Sequence, residues 1–130
     1  MKDRTLRKEA RLYFVPVLLG SNKLSHRISR KIFRKYGIVS LILDEKSSFR
    51  DVFSLTSRFV RVYSQENELL CQEICKIGED LQYTLPIAVP TSPRFDKLTE
   101  EFGTVLETAF VLRRPHKLFS SSPLADIKQF

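Results

Sequence analysis

Residues 12–37, LYFVPVLLGSNKLSHRISRKIFRKYG, decide the fold. Residues 12–19 are apolar apart from the Tyr13 hydroxyl and the imino acid Pro16. An apolar run of that length, halted by Gly20-Ser21-Asn22, suits a strand covered on both faces. A helical period follows. Leu24, Ile28 and Ile32 recur at every fourth position, with Tyr36 next in the series. Arg27, Arg30, Lys31, Arg34 and Lys35 fill the opposite side, so the segment reads as an amphipathic helix. Gly37 stands where a left-handed C-cap belongs. Residues 38–43, IVSLIL, are a second apolar run. Strand, turn, helix and strand make a βαβ unit, which predicts parallel strands and a right-handed crossover.

The pattern continues outward from that unit. Residues 44–48 form a polar loop, and residues 49–56, FRDVFSLT, predict a short helix or turn. Residues 59–63, FVRVY, alternate as a third strand. Residues 65–81 predict a second long helix, with Leu69, Leu70, Ile74, Ile77 and Leu81 inward and Glu66, Glu68, Glu73 and Glu79 outward. Residues 85–89, LPIAV, are a fourth strand, and Pro86 argues for an irregular start or a protected edge. Pro90-Thr91-Ser92-Pro93 breaks the chain. Residues 94–107 predict a third helix built on Phe95, Leu98, Phe102, Val105 and Leu106, and residues 109–112 a fifth strand. The expected fold class is α/β: a three-layer sandwich around a mostly parallel, Rossmann-like sheet of five strands. Residues 1–11 read as a basic arm, 12–112 as the domain, and 113–130 as a tail or linker.

Composition narrows the function classes. The chain has 130 residues, enough for one domain with a real core. No run approaches the roughly 20 apolar residues of a membrane span, so no membrane is expected among its partners. The N-terminal residues mix acids into a basic stretch and do not resemble a signal peptide, which points to the cytoplasm. Net charge is +7 and lopsided: residues 1–62 hold 15 Lys+Arg against 5 Asp+Glu, and residues 63–130 hold 7 against 10. Such a basic half suits an anionic partner or a solvated helix face. Cys71 and Cys75 lie on adjacent helical turns and read as small core side chains.

In parallel α/β sheets ligands bind beyond the carboxyl ends of the strands. Here that edge comprises Gly20 to Lys23, Asp44 to Ser48, Tyr63 to Gln65 and Pro90 to Arg94. The candidate contact residues are Gly20, Ser21, Asn22, Asp44 and Arg94, each of which also has an ordinary role as a turn residue. Asp44 and Glu45 stand near the place of a ribose-binding acid. Gly20 is the sole glycine of its turn, however, so the G-x-G-x-x-G fingerprint is missing and NAD or FAD is not expected. Ser21 or Asn22 reads as the N-cap. There is no Walker loop, G-x-S-x-G, H-E-x-x-H or C-x-x-C. His26 reads as a surface histidine on the polar side of its helix, and His116 as a tail residue without a nucleophile. Asp96, Glu100 and Glu101 read as a solvated helix face. No strand alternates aromatic and basic residues in the RNP manner, which sets nucleic acid below the other partners.

Phe14-Val15-Pro16-Val17-Leu18-Leu19-Gly20-Ser21, followed by a helix ending Arg34-Lys35-Tyr36-Gly37-Ile38, resembles the start of ATP-grasp carboxylate–amine ligases of the D-aspartate ligase-like group. Those enzymes open with an apolar strand, "LLG", a polar turn and a helix closing in "YGI". The fourth strand, the Pro90 to Arg94 turn, the next helix and Phe110-Val111-Leu112 follow the same order, so the resemblance spans most of residues 12–112. It implies a pre-ATP-grasp domain, a Rossmann-like lid that helps to shape the carboxylate site. It further implies ATP and magnesium for the complete enzyme, bound mainly by a separate ATP-grasp domain, and an acyl-phosphate route. No catalytic residue carries over, and no cofactor is expected in this chain itself. The turn differs, being Ser21-Asn22-Lys23 where the group commonly carries Asp-Ile-Asn, and the helix is more basic.

Three readings follow. The first is the substrate-shaping N-terminal domain of such a ligase, partnered by an ATP-grasp domain in cis or in trans, meeting a small carboxylate substrate and inactive alone. The second is a free-standing Rossmann-like binding or regulatory module, for which a self-associating surface, as in a homodimer, would speak. The third is a basic nucleic-acid-binding protein.

Overall fold

The computed structural model describes residues 14–81 and 84–115. Among the described residues five strands and four helices alternate: β1 (Phe14–Leu19), α1 (Lys23–Tyr36), β2 (Ser40–Asp44), α2 (Phe49–Phe53), β3 (Ser57–Arg61), α3 (Asn67–Asp80), β4 (Leu85–Pro90), α4 (Pro93–Leu106) and β5 (Val111–Leu112). The strands form one sheet in the order β3-β2-β1-β4-β5, and every pairing is parallel. The fold is therefore α/β and Rossmann-like, as the first βαβ unit predicts. The readings of residues 1–11, of Leu12 and Tyr13, of His116 and of the tail beyond it lie outside the described residues.

Alternation along β1 builds the three layers. Phe14 and Leu18 join Ile28, Ile32 and Tyr36 of α1 in one core, together with Ile42, Ile87 and Val89. Val17 and Leu19 turn the other way, onto Leu70, Cys71, Ile74 and Cys75 of α3 and Phe95, Leu98 and Leu106 of α4. Successive strand side chains point to opposite faces, so a run buried on both sides must be apolar throughout. α1 is bounded as its ends suggest. Asn22 Oδ1 accepts the Ser25 amide at 2.9 Å, and Ser25 Oγ accepts the Asn22 amide at 2.9 Å. Gly37, at φ 69°, closes the helix with its N–H on Phe33 O at 2.8 Å.

Several expectations need correction. Leu24 is exposed, and the inward stripe of α1 is Ser25, His26, Ile28, Ser29, Ile32 and Tyr36. Ser25 and Ser29 are buried with their hydroxyls donating to Asn22 O and His26 O, both at 2.9 Å, which a count of apolar residues misses. Leu69 and Val105 are about half exposed, because each stands at the rim of its helix's buried face. Glu73 is not simply outward: its carboxylate accepts the Tyr63 amide at 2.7 Å and the Ser64 amide at 3.2 Å, tying α3 to the end of β3. Pro86 does not mark an edge. β4 lies between β1 and β5, and the proline is tolerated because β5 pairing begins only at Ile87. Pro16 in β1 likewise precedes the β2 pairing, which begins at Val17. Among the described residues no helix is long and apolar enough to cross a membrane.

Candidate functional site

The strand order reverses between β1 and β4, and the carboxyl ends of these strands define the crevice where such sheets bind ligands. The chain fills this crevice with its own groups. Thr91 Oγ1 donates to the carbonyls of Leu19 at 2.9 Å and Gly20 at 3.1 Å. Asn22 Nδ2 crosses from the β1 turn to Thr91 O at 3.0 Å and lies 3.2 Å from Thr91 Oγ1. Gly20 has φ +116°, and a Cβ there would meet Thr91 Oγ1 at 2.8 Å. Glycine is required on both counts, by backbone conformation and by the close approach of Thr91.

Backbone donors at the start of a helix are the usual anchor of a phosphate in these folds. Here one of them is already taken. The Ser21 amide donates to Asp44 Oδ2 at 2.8 Å, and Asp44 Oδ1 accepts the Glu45 amide at 2.7 Å. The acid that sequence suggests for a ribose thus serves as an internal anion at the turn. Ser21 Oγ donates to Asp51 Oδ2 at 2.6 Å, and the Ser48 amide donates to the same oxygen at 2.7 Å. Asp51 Oδ1 lies 2.8 Å from His26 Nε2, and these two side chains are only 2% and 4% exposed. Burial pushes the Asp51 carboxyl up, but the hydrogen bonds from Ser21, Ser48 and His26 outweigh it and hold Asp51 below its usual 3.8.

His26 is therefore buried, not a surface histidine. It sits at the margin of the inward face of α1, where Asp51 of α2 supplies the partner that local sequence could not reveal. Serine, aspartate and histidine converge here without forming an acyl-transfer set. The carboxylate is in the middle, so the hydroxyl donates to Asp51 and not to the imidazole that would have to deprotonate it. These groups fasten α1, α2 and the β1 turn together.

All five sequence-derived candidates lie on this edge. Gly20 and Asn22 meet at Thr91, Ser21 meets Asp44, and Arg94 reaches the edge from the N-terminus of α4, where Nη1 pairs with Glu45 Oε1 at 2.7 Å. That ion pair is partly exposed and spans from the β2 loop to the β4 loop. Sequence reasoning missed Thr91, Asp51, His26 and the pairing role of Glu45. The Pro90-Thr91-Ser92-Pro93 break pointed to the turn but not to the inward hydroxyl. Toward the β5 side a cleft of about 280 Å³ opens between Pro90, Thr99, Glu100, Leu112, Arg113 and Arg114. Among the described residues no three His, Cys, Asp or Glu side chains converge as metal ligands. No protein-family model, curated protein sequence or solved structure matches this chain.

Proposed function

We propose that this chain is the substrate-shaping, pre-ATP-grasp domain of a cytoplasmic ligase that joins a carboxylate to an amine through an acyl phosphate. One observation carries the reading. The crevice at the strand-order reversal is occupied by Thr91 and Asn22, while Arg94 stands on the same edge paired with Glu45, and Arg113 and Arg114 line the 280 Å³ cleft toward β5. An edge of this kind suits a carboxylate presented to a neighbouring catalytic domain. ATP and magnesium do not fit this edge. The Ser21 amide is committed to Asp44, Thr91 crowds Gly20, and the acids present are engaged by Ser21, Ser48, His26 and Arg94. Nucleotide and metal chemistry falls to the partner domain, in cis or in trans. The "LLG…YGI" resemblance supports the same assignment.

The test begins with the pure chain and Mg–ATP, with phosphate release as the readout; none is expected, and turnover would overturn the reading. The coding region in frame with the chain or adjacent to it is then searched for an ATP-grasp domain. Joined to that domain, the chain should support carboxylate-dependent ADP formation, with hydroxylamine trapping the acyl phosphate as a hydroxamate. Arg94→Ser should then raise KM for the carboxylate more than it lowers kcat. Carboxylate turnover by the ATP-grasp domain alone, unchanged on adding this chain, would refute the proposal.

A further inference from the structure

The β2–β3 connection turns four large apolar side chains outward within seven residues. Phe49, Val52 and Phe53 of α2 and Leu55 behind it are 69%, 74%, 79% and 88% exposed. Apart from the Asp51 side chain, α2 turns nothing into the core. It is nonetheless firmly held, because Asp51 on its underside is fixed by Ser21, Ser48 and His26. The apolar side is thus presented, not frayed, and exposed apolar surface of this extent marks an interaction site.

Its surroundings are cationic. A groove of about 380 Å³ between α1 and α2 is lined by His26, Arg30, Phe49, Arg50, Phe53 and Leu55, among others. Arg50 stacks over Phe49 at 5.0 Å. Arg27 lies three residues before Arg30 on the outer face of α1, and Arg58 is exposed on β3. α1 carries six Lys+Arg and no acid, and the one carboxylate of α2 is the inward Asp51. On the other face of the sheet, α3 and α4 hold seven Asp+Glu against three Lys+Arg. The domain is therefore electrically two-sided, with its apolar projection beside the positive layer.

We infer that this face docks on an anionic lipid surface, with Phe49, Val52, Phe53 and Leu55 entering the interfacial zone and the cations of α1 against the head groups. This is adsorption, which needs no spanning helix. A two-fold contact with a second copy would bring two faces of the same positive charge together. Val52 and Leu55 carry no group that pairs with a phosphate backbone. Side chains projecting at this exposure suit a deformable apolar phase, and a rigid protein partner would need a matching cavity. The surface lies toward the β3 edge and the Arg113–Arg114 cleft toward the β5 edge, so the inference is independent of the ligase reading.

The chain has no tryptophan, so Phe53→Trp installs a single reporter. Its emission should shift to the blue with vesicles of phosphatidylcholine plus phosphatidylglycerol, and stay unchanged with phosphatidylcholine alone. The shift should vanish at about 1 M salt, where the screening length is about 3 Å. Arg27→Ser with Arg30→Ser should weaken binding about 25-fold, about fivefold for each cation. In the tryptophan-free chain, Phe49→Ser with Phe53→Ser should abolish co-sedimentation with anionic vesicles while leaving the circular dichroism spectrum unchanged. No blue shift at saturating anionic lipid, or sedimentation untouched by either double variant, would overturn the inference. A blue shift with polyglutamate but not with vesicles would also overturn it, in favour of an acidic polypeptide.

Discussion

Asn22 and Thr91 are 69 residues apart in sequence, yet the Asn22 amide group donates to the Thr91 carbonyl at 3.0 Å across the mouth between β1 and β4. The same asparagine caps α1 through its Oδ1. One side chain thus sets both the start of the helix and the closure of the crevice. Asn22→Ala should lower stability by about 2 kcal/mol, combining a lost N-cap with a lost cross-link. Asn22→Ser keeps a capping oxygen but cannot reach Thr91, and should recover about half of that loss. Urea midpoints of the three proteins check the partition.

Gly20 and Thr91 form the second half of this closure. Gly20→Ala should cost about 1–3 kcal/mol from backbone strain, and further from the contact with Thr91 Oγ1 at 2.8 Å. Thr91→Ala removes that contact but not the strain. The double variant should therefore be less destabilised than the sum of the singles, and a double-mutant cycle of denaturation midpoints measures the difference. Simple additivity would mean that the two residues do not crowd one another.

Asp51 supplies a pH dependence whose sign is determined. Its folded carboxyl lies below the usual 3.8 despite burial, because Ser21, Ser48 and His26 hydrogen-bond to it. A carboxylate depressed in the folded state stabilises the protein above its unfolded pKa. That contribution fades as pH falls through the folded value. Thermal melts between pH 7 and pH 2 should show an acid limb below about pH 4. In Asp51→Asn the melting temperature should be lower at neutral pH and this limb shallower.

The thiols are expected to be inert. Burial raises Cys71 to about 11, with Cys75 beside it adding to the shift, and burial raises Cys75 as well. The thiolate is the reactive species, so both should resist iodoacetamide at pH 8 in the folded protein and react fully in denaturant. Mass spectrometry after a short pulse distinguishes the two. Rapid native labelling would show that α3 opens without global unfolding.

Gly78 on α3 lies under the Phe110 ring, where an added Cβ would sit 2.7 Å from Cε2 and Cζ and 3.0 Å from Ala109 Cβ. Gly78→Ala should destabilise by about 1–3 kcal/mol through overpacking, against a gain of about 1 kcal/mol in helix propensity. Phe110→Leu in the same chain should relieve part of the cost. Calorimetry of the single and double variants tests the coupling.

The order of elements and the parallel sheet are legible in the amino-acid sequence alone. Apolar runs such as Val17-Leu18-Leu19 and Ile42-Leu43, bounded by turn residues, suit strands covered on both faces, and Ile28, Ile32 and Tyr36 with cations at 27, 30, 31, 34 and 35 and glycine at 37 suit an amphipathic helix. Gly37 is legible as a helix end, and the start is narrowed to Ser21 or Asn22, because capping is local chemistry settled within a few residues; the structure selects Asn22. The partners of the polar groups emerge only once the chain is folded. Asp44 on Ser21, Asp51 on His26, Asn22 on Thr91 and Arg94 on Glu45 join segments 23 to 69 residues apart. A polar side chain in sequence shows its donors and acceptors but not which distant backbone will be brought within 3 Å of them. For the same reason the outward turn of Phe49 and Phe53 was invisible in FRDVFSL: local pattern allows either orientation, and the buried anchor at Asp51 chooses.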